Sequence, residues 1–108
     1  MLASLVAIDP GTTRSALVAL DENETPIVAQ ISDNAEVVRL LREWHNPPTL
    51  AIEMIASYGM PVGAEVFETC VWIGRFIEAY LGMHEKVYRK DVKMNLCHSM
   101  RAKDSNIR

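Results

Sequence analysis

Two apolar runs, each with one carboxylate near its end, constrain this chain more than anything else in it. Ala7-Ile8-Asp9-Pro10-Gly11-Thr12-Thr13 lies near the start and Leu50-Ala51-Ile52-Glu53-Met54 lies at mid-chain. Short unbroken apolar runs bounded by turn residues suit strands buried in a sheet. Burying even a neutral polar group without a partner costs ~2–7 kcal/mol, and an ionised carboxylate costs more. Two such groups on core strands therefore call for a compensating cation. If the strands are neighbours, Asp9 and Glu53 meet at one end of the sheet as hard oxygen ligands suited to Mg2+ or Mn2+.

The 108 residues form one domain, a size that buries roughly 60–70% of the unfolded surface in a single core. The apolar start has no basic segment before it and breaks at Asp9-Pro10-Gly11. It is neither a signal peptide nor a membrane span, so the expected location is the cytoplasm, with no membrane contact. Cys70 and Cys97 are the two cysteines, and without an export signal they read as buried free thiols. The net charge of −3 is unevenly spread. Residues 1–83 carry four arginines and no lysine against eleven carboxylates, a net of −7, whereas residues 84–108 carry seven cations against three carboxylates, a net of +4. A basic end on an acidic body suits a polyanion contact there; a solvated helical face fits the same charges.

The coarse order is three strands, a helix, a strand, a long helix and a short strand. Strands are expected over residues 2–8, 15–20 and 26–31, with a polar turn at Asp21-Glu22-Asn23-Glu24 making a meander. Ser32-Asp33-Asn34 supplies N-cap chemistry for a helix carrying Val37, Val38, Leu40, Leu41 and Trp44, and His45-Asn46-Pro47-Pro48 stops it. A buried strand over 49–54, reached through a helix, runs parallel to an earlier one. The long helix starts near Pro61 and stops at Gly82, with Val62, Val66, Cys70, Ile73, Ile77 and Tyr80 at helical spacing. Val71, Trp72, Phe76 and Leu81 are surplus apolar surface. Gly63 and Gly74 cost ~1 kcal/mol each relative to Ala and suggest close approach of another backbone. A short strand over 86–89 and a helix over 91–100 follow.

That order is the order of the ribonuclease H-like α/β fold, a mixed five-stranded sheet with helices packed on it. Ile8-Asp9-Pro10-Gly11 with Thr12-Thr13-Arg14 resembles the first strand and turn of RuvC-type Holliday junction resolvases. Ala51-Ile52-Glu53 resembles that family's second catalytic strand. The stretch 69–76 is similar to its long helix, and Arg89-Lys90-Asp91-Val92-Lys93 with Arg101-Ala102-Lys103 to the basic segment before its last helix. The resemblance implies an endonuclease that cuts four-way DNA junctions by two-metal-ion hydrolysis and works as a homodimer. It implies Asp9 and Glu53 as catalytic metal ligands for Mg2+ or Mn2+, and DNA contacts at Arg14, Tyr58, Arg89, Lys90, Lys93, Arg101 and Lys103, with Tyr58 stacking on a base.

The family's last two carboxylates sit on a final helix, and nothing here matches them. Asp104 falls at the start of that helix and Asp91 precedes it. The expectation is a C-terminally incomplete domain that binds branched DNA without cutting it. A non-catalytic branched-DNA-binding or assembly module of the same fold is therefore the alternative. An actin- or sugar-kinase-like phosphate domain also opens on an Asp-x-Gly-Thr-Thr hairpin, but it needs two domains and several hundred residues. Blander readings stand beside these. Asp9 could cap its own turn, Glu53 could pair with Arg14, Tyr58 could be a half-buried loop residue, and Trp44 and Trp72 suit a core or interface. His84 and His98 lack zinc-ligand spacing with the cysteines.

Overall fold

The structure is a computed structural model that describes residues 3–55 and 63–88. Five strands and two helices follow in the order β1 (Leu5–Asp9), β2 (Arg14–Leu20), β3 (Pro26–Asp33), α1 (Asn34–Arg42), β4 (Thr49–Met54), α2 (Ala64–Ala79) and β5 (His84–Tyr88). They build one mixed sheet of order β3-β2-β1-β4-β5. β1 and β2 are antiparallel, as are β2 and β3, while β4 runs parallel to both β1 and β5.

The meander closes through Asp21, whose buried carboxylate accepts the N–H groups of Asn23 at 2.8 Å and Thr25 at 2.9 Å. This side-chain mimic of a turn lets Glu24 take a left-handed φ of 62°. The β2–β3 register then slips by one residue at Leu20, which pairs with Pro26.

Period-two alternation decides which face is buried. Val6 and Ile8 of β1, Ser15, Leu17 and Ala19 of β2, and Leu50 and Ile52 of β4 are all buried. Val37, Val38 and Leu41 of α1 and Ile73, Phe76 and Ala79 of α2 join the same core cluster, so both helices cover this one face. Each large apolar side chain buried there contributes about 1.5–3 kcal/mol. The opposite face can be read row by row from the strand pairing. Ala29, Val18, Ala7, Ala51 and Glu85 form one row, and Ile31, Ala16 and Asp9 begin the next. Neither described helix packs on it, and Ile31 is 64% exposed.

Several expected boundaries move. β1 runs through Asp9, β3 continues to Asp33, and β5 begins two residues earlier than expected, at His84, because its pairing with β4 starts at Leu50. α1 ends at Arg42, so Trp44 packs on the core from the following turn. Asp33 makes no side-chain cap. α2 starts after Gly63 and ends before Tyr80, whose hydroxyl donates to the Pro48 carbonyl. Its buried stripe is Thr69, Ile73, Phe76 and Ala79 rather than one centred on Cys70. Thr69 tolerates burial by donating its hydroxyl to the Glu65 carbonyl at 2.9 Å. Cys70 is a free, half-buried thiol. The expectation for the helix glycines is also corrected: a Cβ at Gly63 or Gly74 would meet nothing within 4 Å. The close approach is at Gly82, where a Cβ would lie 2.8 Å from the Tyr80 ring and 3.0 Å from Pro47 and from the Pro48 carbonyl. Pro61, Val62, Cys97, His98, Asp104 and the expected 91–100 helix lie outside the described residues. No helix among the described residues is long and apolar enough to cross a membrane.

Candidate active site

Parallel pairing of β1 with β4 brings the two singled-out carboxylates together. The last ladder pair is Ile8 with Ile52, so Asp9 and Glu53 are the next residue on each strand. In-register residues on neighbouring strands share a face. Both carboxylates therefore lie at the carboxyl end of the sheet, on the face opposite the helices. Asp9 is exposed and Glu53 half-buried. Ala16 flanks Asp9 on one side and Val87 flanks Glu53 on the other. Ala7, Ala16 and Ala51 are the small side chains beside the two carboxylates on this face.

The turn after Asp9 is tied down from outside itself. The Gly11 N–H donates to Ser15 Oγ at 3.1 Å, and the Ser15 hydroxyl donates to Asn34 Oδ1 at 2.5 Å. Asn34 Nδ2 returns to the Gly11 carbonyl at 2.9 Å, and the Asn34 N–H donates to the Thr13 carbonyl at 2.9 Å. Ser15 and Asn34 are 2% and 1% exposed, so these bonds are shielded from competing water. Thr12 and Thr13 remain exposed at the tip. Sequence reasoning missed this pair. Its signal was a serine in phase with Leu17 and Ala19 on the buried face of a strand.

Arg14 lies on the same face and at the same end as Asp9, two residues beyond Ala16 along β2. It forms a 3.9 Å ion pair with Asp33 and donates to the Ile31 carbonyl at 3.5 Å. The Arg14 side chain thus leans towards β3 and is 62% exposed. Tyr58, Arg89, Lys90, Lys93, Arg101 and Lys103 lie outside the described residues. Tyr88, the last described residue of β5, pairs with Met54 at the carboxylate end of the sheet. Trp72 is half-buried against the core and carries Arg75 over its ring at 4.2 Å. His84 is exposed on β5.

Two carboxylates on facing strand ends fit a hard divalent cation such as Mg2+ or Mn2+, which takes oxygen ligands and retains several waters. Among the described residues, no group of three or more His, Cys, Asp or Glu side chains could share an ion. A pair of ions needs more protein ligands than these two.

No family model matches the sequence, and no curated protein sequence matches it. Among solved structures, the chain is similar to RuvC of T. thermophilus in complex with a Holliday junction substrate. The TM-score is 0.59 at 17% identity, over 84% of this chain and 68% of that one. At this identity the likeness speaks for the fold alone. Three antiparallel strands, a helix, a parallel strand, a second helix and a fifth, parallel strand give this chain a mixed α/β sheet consistent with the ribonuclease H-like fold.

Proposed function

We propose that this chain is a RuvC-like nuclease domain that binds four-way DNA junctions in the cytoplasm and cleaves them by metal-assisted phosphodiester hydrolysis. The observation that carries the reading is the in-register placement of Asp9 and Glu53, on one face and at one end of a RuvC-like sheet. Asp9 and Glu53 would hold Mg2+ or Mn2+. Bound there, the cation supplies a nucleophilic water at neutral pH and stabilises the leaving oxygen. The protein's own part is positional. Asp9 is fixed between the β1 ladder and the tethered turn, and Glu53 is fixed by β4. Arg14, with Arg89, Lys90, Lys93, Arg101 and Lys103, would contact backbone phosphates, and Tyr58 would stack on an unpaired base.

A second reading is favoured by the lack of a third ligand among the described residues. In it the domain binds branched DNA without cutting. Incubation with an end-labelled four-way junction in Mg2+ or Mn2+ separates the two. The nuclease yields paired symmetric nicks that Asp9→Asn and Glu53→Gln abolish while junction binding is retained. Binding by the unaltered chain with no nicks assigns the second reading.

Two symmetric cuts on a two-fold junction need two sites related by a two-fold axis, so the proposed unit is a homodimer. The outer side of α2 suits that contact. Phe67 and Val71 are 64% and 59% exposed on it, and Gly74 faces open space.

A further inference from the structure

We infer that Ser15 and Asn34 are positioning residues that hold the turn after β1, and through it the Asp9 carboxylate, in the orientation a divalent cation requires. The inference rests on the metal-site reading of Asp9 and Glu53. Asp9 sits at the last pair of β1 with β2, and beyond it the chain has little slack. Pro10 has a fixed φ and confines the residue before it to extended conformations. Gly11 then has both of its backbone polar groups clamped, its N–H by Ser15 and its carbonyl by Asn34. A side chain at Gly11 would collide with the Arg14 carbonyl oxygen, so the turn closes as tightly as a glycine permits. The third bond, from the Ser15 hydroxyl to Asn34 Oδ1, completes a ring in which each donor faces an acceptor. The same asparagine is the first residue of α1, so the ring couples the candidate ligand strand to the helical layer. Its burial makes it stiff, because a hydrogen bond in a low-dielectric interior is stronger and a broken one is costly.

The test is Mn2+ binding by the full chain, followed by water-proton relaxation at a temperature where circular dichroism shows each variant folded. Ser15→Ala should weaken Mn2+ binding roughly tenfold, the low end of what loss of a supporting partner costs a metal site. Asn34→Ala should do the same, which covers the case in which Ser15→Ala does not fold. Ser15→Thr, which keeps the hydroxyl, should recover most of the loss. Tyr80→Phe removes a hydrogen bond at the far side of the core and should leave the affinity unchanged, separating positioning from general destabilisation. If Asp9→Asn loses Mn2+ while Ser15→Ala and Asn34→Ala bind it as the parent does, the positioning role is wrong and the metal site stands. If Asp9→Asn binds Mn2+ like the parent, the metal-site reading itself fails and this inference falls with it.

Discussion

Asp9 and Glu53 stand one residue past the last pair of a parallel ladder, where the buried run ends and a polar ligand can arrive. Their pairing was legible in the sequence because each carboxylate closes a short unbroken apolar run, Ala7-Ile8 before Asp9 and Leu50-Ala51-Ile52 before Glu53. The ring around Gly11 was not, because Asn34 reads as ordinary N-cap chemistry until its side chain is seen turned inward. Tyr80 offers a check on the opposite side of the core. Burial pushes its phenol up to about 12. A phenol held neutral by the fold stabilises it fully below the unfolded value near 10 and loses that contribution as the pH rises through about 12. Urea melts at increasing pH should show stability falling across this window, and Tyr80→Phe should flatten that fall. At neutral pH the same variant should cost about 1 kcal/mol for the lost bond to Pro48.

α2 is an element placed correctly and faced as expected only in part, since Ile73 and Tyr80 of the expected stripe are buried but Cys70 is not. Helical spacing identified it, yet the buried stripe runs through Phe76 at 0% exposure rather than through Cys70. The sequence offered two overlapping apolar stripes, and only the sheet beneath decided between them. Phe76→Ala should therefore cost about 3–5 kcal/mol in denaturant titration, far more than Phe67→Ala on the exposed side. Gly82→Ala should cost about 1–3 kcal/mol, because its new methyl meets the Tyr80 ring, the Pro47 side chain and the Pro48 carbonyl oxygen. Gly74 offers the opposite case. With open space at its Cβ position, Gly74→Leu should leave the monomer folded, or stabilise it by up to about 1 kcal/mol through helix propensity. Sedimentation of this variant should nevertheless show a smaller dimer fraction. An unchanged dimer fraction would move the interface off this side of α2.

At the scale of the whole molecule, the strand order was legible because each connection left one choice: short polar turns for antiparallel neighbours, a helix for the parallel step. Strand ends were less legible, since β3 and β5 extend or shift according to their partners' register rather than their own composition. The described residues present two kinds of face, a helical layer over the core and a sheet face ending in two carboxylates, and the proposed DNA contact belongs to the second. Phosphate contacts by Lys90 and Lys93 should make junction binding fall with salt, and each lysine replaced by Ala should reduce the log–log slope by about 0.9. The carboxylates make a sharper demand. A cation shared by Asp9 and Glu53 would draw an approaching phosphate to this end of the sheet. The direct measurement is the junction dissociation constant, with Mg2+ and with chelator, for the parent chain and for the Asp9→Asn, Glu53→Gln double variant. Mg2+ should tighten binding by the parent markedly and by the double variant little or not at all. An equal response of both proteins to Mg2+ would contradict a metal site built on these two residues.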